Sequence, residues 1–131
     1  MISGVVIAAA ITYAVMLVAF TRPSLRYLHI PVMITIMFVD LGMPFYLYFT
    51  GDWYKRLIVH EEIFSFLIWM HLILVLTLYA LYFLQVKTAR RLLAGGMEVR
   101  SDHRTQGIGI MIVRALVIMT GALLVEPETP A

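Results

Sequence analysis

Four predominantly apolar stretches, each close to the ~20 residues that cross the hydrocarbon core of a bilayer, constrain this chain more than any other feature. They run from Ile2 to Phe20, from Ile30 to Phe49, from about Ile63 to Val86 and from Gly107 to Val125. Hydrophobic residues make up 62% of the chain, against roughly 45–50% in soluble proteins, and mean hydropathy is +0.91. A soluble domain of 131 residues has no interior large enough for so much apolar side chain. The expected fold is therefore all-α, an integral membrane four-helix bundle of up-down topology, with residues 1–131 forming a single transmembrane domain.

Local signals refine these spans. Nothing basic precedes Arg22, so the first span reads as a retained helix and not as a signal peptide. Pro31 suits a first helical turn. Pro44 is expected to bend the second span and to free a carbonyl toward the bundle. The third span is expected to continue as helix through Val86 to Ala94 and to stop at Gly95-Gly96.

Charge then orients the chain. Arg22, Arg26, Lys87, Arg90, Arg91, Arg100 and Arg104 lie in the first and third connections, and only Lys55 and Arg56 in the second. Seven basic residues against two predict both termini outside and the first and third loops cytoplasmic, as in a multi-pass protein of the inner (cytoplasmic) membrane. The pI of 9.1 follows from this topological bias, and with a net charge of +2 no nucleic-acid partner is implied. The expected surroundings are the lipid bilayer and other membrane subunits.

The chain has no cysteine, which excludes disulfides, c-type haem attachment and thiolate-held iron–sulfur clusters. It also has no metalloprotease helix, glycine-rich phosphate loop or nucleophile with a base. No catalytic residue is assigned, and an electron-transfer subunit fits the sequence better than an independent enzyme.

Chemistry resides in the polar groups placed among apolar ones. Asp40, His71 and Arg114 fall near the middles of spans two, three and four, and Tyr13 reaches similar depth in span one, counting about 1.5 Å per residue. A lone ionised group there costs upward of about 2.5 kcal/mol, so Asp40 and Arg114 are expected to pair, with His71 and Tyr13 completing an intramembrane network. Such a network serves either as a polar clasp that fixes packing, or as a proton site, a quinone site or support for a cofactor.

His29 and Asp40, His60 and His71, and His103 and Arg114 are each eleven residues apart. Eleven steps of about 100° return to within about 20°, so each pair shares a helix face. The antiparallel path brings His29 and His103 to one membrane edge and His60 to the other. His29 and His103 thus form the candidate pair for a haem iron. His71 is a rival cofactor ligand that lacks a histidine at its own depth and would need a partner such as Met37. The alternative reading of each histidine is an ordinary interfacial side chain. Gly107 and Gly121, seven residues either side of Arg114, either let helices approach closely or leave room for a flat ligand. Nine methionines, with Met33 one turn from His29, make copper a lesser option.

The segments His29-Ile-Pro-Val-Met33, Trp69-Met70-His71-Leu72, His103-Arg104 and Thr120-Gly121 resemble a family of small four-helix membrane proteins of uncharacterised function associated with haem–copper oxidases and their assembly. The order matches from about Arg26 to Leu124. The general plan is also similar to four-helix membrane cytochromes b. The family's further histidine near the end of the second helix is missing here, where Tyr46-Leu-Tyr-Phe-Thr-Gly51 stands. The resemblance implies haem or copper handling beside a respiratory enzyme. The reading carried forward is a membrane subunit of respiratory electron transfer that binds b-type haem at helix ends. An oxidase-assembly factor and a purely structural subunit are the alternatives.

Overall fold

The computed structural model describes residues 4–22, 24, 26–50, 58–59, 61 and 65–124. His60, the charged residues Lys55 and Arg56 and the tail beyond Leu124 lie outside the described residues. Four long helices account for nearly all of the rest: α1 (Gly4–Thr21), α2 (Arg26–Thr50), α3 (Phe66–Leu93) and α4 (Arg100–Leu123). All four are long and apolar enough to cross a membrane. A short 3-10 turn, Met97–Val99, leads into α4.

The helices outrun the apolar spans at one end of the bundle, where α1 joins α2 and α3 joins α4. There α2 begins at Arg26, α3 continues to Leu93 and α4 begins at Arg100, so His29 and His103 sit inside helices. The stop of α3 is a glycine-built one. Gly95 adopts φ +93°, a left-handed conformation that suits glycine. Gly95 N–H then donates to Leu92 O at 3.0 Å, and Gly96 N–H to Arg91 O at 2.9 Å.

Packing is antiparallel throughout, as paired contacts show. Ala19 meets His29 across α1 and α2. Tyr13 meets Met111 across α1 and α4, and Thr88 and His71 of α3 meet His103 and Thr120 of α4. α3 packs closely along α4, and α1 lies against both α2 and α4. α2 and α3 are not packed together in this way and meet mainly through side chains.

The core is small: Met16, Ile36, Leu78, Tyr82, Ile110 and Met111. Large apolar side chains point outward instead, among them Phe38 (71% exposed), Phe49 (79%) and Phe66 (79%). Such a surface is stable only against a solvent as apolar as itself. Gly107 permits the close approach of three helices, because a Cβ there would come within 3.2 Å of the Phe20 ring and 3.3 Å of the Gln85 amide. Of the two uses expected for this glycine, close packing is the one observed.

Candidate functional site

An ion pair occupies the middle of the bundle. Arg114 Nε donates to Asp40 Oδ2 at 2.8 Å and Nη2 to Oδ1 at 3.0 Å, the two-pronged arrangement in which a planar guanidinium holds a carboxylate best. Their side chains are only 4% and 15% exposed. Nη2 also donates to Thr12 Oγ1 at 2.9 Å, and Nη1 is buried with no partner among the described residues.

Three hydroxyls complete the cluster. Thr12 sends its own proton back to Ala9 O at 2.8 Å, so its lone pairs are directed to the arginine. Tyr82 donates to Asp40 Oδ2. Tyr79 donates to the backbone oxygen of Asp40 at 3.2 Å, and the reason lies four residues ahead. Residue 44 is proline, which has no N–H to give that carbonyl, so the third helix supplies the bond that the second cannot make.

Tyr13 and His71 do not join this pair, and the expected four-residue network is corrected accordingly. Tyr13 donates to Met111 O at 3.2 Å, leaving its neighbour Thr12 as the group from α1. His71 sits further toward the end of the bundle where α1 begins and α4 ends. Because α3 runs on to Leu93, the layer opposite Asp40 falls at Tyr79 and Tyr82 and not at His71.

The three described histidines have one property in common. His29 Nδ1 lies 2.8 Å from Ala19 O, and a carbonyl only accepts, so Nδ1 carries the proton. His71 Nδ1 lies 2.6 Å from Thr120 Oγ1. That hydroxyl also lies within donating reach of Leu116 O and Val117 O, at 2.8 and 3.1 Å. His103 Nδ1 lies 2.8 Å from Thr88 Oγ1, which also lies within donating reach of Gln85 O and Gln106 Oε1. Each ring thus has its Nδ1 held by an oxygen, with Nε2 as the nitrogen left for other partners. That is the form in which a histidine ligates a metal, its other nitrogen held by an oxygen behind it.

The Nε2 atoms have different surroundings. That of His103 lies 3.3 Å from the Gln85 amide nitrogen. That of His71 has no partner among the described residues, and the ring lines a cavity of about 540 Å³. This volume falls within the ~300–1,000 Å³ usual for ligand pockets. The cavity lies between the ends of all four helices, and Asp40, Arg114 and Thr12 border its inner end. Gly121 leaves space for the imidazole, since a Cβ there would come within 3.4 Å of His71 Cε1.

No group of three or more metal-ligating His, Asp or Glu side chains occurs among the described residues. A site holding an iron through two histidines needs no such group. No known family model, curated protein or solved structure matches the chain.

Proposed function

We propose that this chain is a membrane subunit of respiratory electron transfer that holds a b-type haem between His29 and His103 at the bundle end formed by the α1–α2 and α3–α4 connections. One observation carries the reading: two imidazoles on different helices, each with Nδ1 held by an oxygen, which leaves Nε2 to ligate once Gln85 moves from His103. Two such nitrogens suit a low-spin iron. When bound, the haem supplies one-electron redox chemistry, and the chain's part is to position, tilt and insulate it.

Seating that group between the two rings requires a rearrangement. Gln85 stands on His103 Nε2 and must swing aside. In its present rotamer the Gln85 Oε1 is buried without a partner, so moving the amide gives up little. His29 also serves the scaffold, because it adds a second hydrogen bond to Ala19 O in the last turn of α1, which already accepts from Arg22 N–H at 3.2 Å.

A structural subunit is the second reading, favoured by the Asp40–Arg114 clasp. The seven-to-two distribution of basic residues supports placing the histidine pair on the cytoplasmic side.

The deciding experiment is a reduced-minus-oxidised visible spectrum of protein made with haem in excess. Sharp low-spin bands are expected, abolished by His29→Ala or His103→Ala and retained in His71→Ala. Loss of the bands in His71→Ala alone would move the iron to the cavity. No haem absorbance in the wild type would leave the structural reading.

A further inference from the structure

The end of the bundle where α3 turns into α4 carries cations that no acidic group answers, and their place on the helix selects a partner. We propose that Lys87 and Arg90 hold the phosphate of an anionic phospholipid, whose acyl chains lie along the outer face of α3.

Trp69, Ile73, Leu76, Ala80, Phe83 and Lys87 recur at alternating steps of four and three residues, which places them on one stripe of the helix. All six are exposed, Phe83 by 71%, so the stripe faces lipid and not the other helices. Ala80 offers only a methyl group between Leu76 and Phe83, which leaves a shallow hollow for a hydrocarbon chain. From Trp69 to Lys87 the helix rises about 27 Å, close to the ~30 Å of a hydrocarbon core. Tryptophan favours one interface of a bilayer, and a lysine stem reaches out at the other. Because α3 continues to Leu93, Arg90 lies about 4.5 Å beyond Lys87 and about 60° around the helix, at the level of lipid headgroups.

The charges at this level are not balanced by the protein. α3 contains no Asp or Glu. The ion pairs among the described residues are Arg91 with Glu98, at 2.7 Å, and Arg114 with Asp40. Glu98 thus answers Arg91 and leaves Lys87 and Arg90 exposed, without an acidic partner among the described residues. Two cations one turn apart can close on one phosphate, and basic residues at this depth attract anionic lipid. A phosphodiester with acyl chains supplies the anion and covers the stripe below it. A soluble anion has no chains to lay there, and a zwitterionic lipid brings its own cation to its phosphate.

The test is native mass spectrometry of the full chain, released from a non-ionic detergent after titration with palmitoyl-oleoyl-phosphatidylglycerol at physiological ionic strength. One retained lipid is expected, with phosphatidylcholine of the same chains held about tenfold less well. Lys87→Gln and Arg90→Gln should each weaken retention by about fivefold, and the two together by about thirtyfold. Arg100→Gln with Arg104→Gln removes equal charge from α4 at the same end of the bundle and should change retention little, because salt screens the more distant charges. Glu98→Gln frees Arg91 beside Arg90 and should tighten retention about fivefold, a gain that misfolding cannot produce. Equal retention of the two lipids, equal loss in the α3 and α4 double variants, or displacement by glycerol 3-phosphate at the lipid's own concentration would each overturn the proposal. So would a dimer that retains no lipid, which would give the outer face of α3 to a second copy of the chain.

Discussion

Replacing Asp40 by asparagine isolates the energetic role of the central pair. The change is nearly isosteric but removes the carboxylate charge. In the wild type, Asp40 accepts from Arg114 Nε at 2.8 Å and Nη2 at 3.0 Å, and the Tyr82 hydroxyl adds a third donor on Oδ2. An amide has one oxygen, so at least one of the positions that Asp40 fills as acceptor becomes an N–H facing a donor. Arg114, 4% exposed at its side chain, would retain its charge with only the neutral amide oxygen and Thr12 as acceptors. Hydrogen bonds to charged groups contribute about 1.5–3 kcal/mol each, and breaking a buried pair from one side costs about 3–5 kcal/mol. We expect Asp40→Asn to lose stability in that upper range, read by SDS titration and by thermal unfolding in detergent. An apolar double replacement, Asp40→Leu with Arg114→Met, should recover much of the loss, since it removes the burden of a buried charge. If the single and double variants lose equal stability, or if Asp40→Asn loses less than about 1 kcal/mol, the pair does not hold the bundle together as argued.

Further expectations rest on other parts of the structure. Tyr79→Phe should cost about 1–3 kcal/mol by unpairing the Asp40 carbonyl, but much less in a Pro44→Ala background that restores a backbone N–H; additive effects in a double-mutant cycle would refute the compensation. Gly107→Leu should destabilise by about 1–3 kcal/mol or more through overpacking, whereas Gly109→Ala, whose Cβ would lie 3.7 Å from Leu81, should gain about 0.5–1 kcal/mol from helix propensity. Unfolding midpoints moving in the same direction for both would contradict the packing described. Reporter fusions near Gly95 should read cytoplasmic and those in the second connection or after Glu128 external; a cytoplasmic C-terminus would reverse the orientation.

Much of the architecture could be read from residue order because lipid imposes few solutions on an apolar chain. The four helices, the stop at Gly95 and the meeting of Asp40 with Arg114 all followed from hydropathy, glycine chemistry and charge. What stayed hidden depended on rotation and register. Thr12 and Tyr13 are adjacent, about 100° apart around α1, and that helix is apolar on every side, so no pattern marks which of them faces the arginine. His71 was grouped with Asp40 by counting from the start of the apolar run. The helix itself extends to Leu93, which shifts its midpoint to Tyr79 and Tyr82. Those tyrosines, three apart and thus on one face, read as ordinary aromatics until the carbonyl freed by Pro44 is seen to need a donor. The oxygens that hold the histidine rings, from Ala19, Thr120 and Thr88, depend on helix rotation and side-chain rotamers and have no trace in residue order.

Those threonines bear on how the bundle handles protons. A proton wire needs successive groups that can each receive a proton on one side and release one on the other. Here Thr12 and Thr120 direct their protons to carbonyls of their own helices, and Tyr13 and Tyr79 direct theirs to carbonyls of neighbouring helices. A backbone carbonyl has no proton to pass on, so each of these chains ends after one or two bonds. Tyr82 leads to a carboxylate already held by Arg114. Among the described residues these groups are thus dead ends for a proton, an arrangement that buries charge near the middle of the helices without linking it through them to either end.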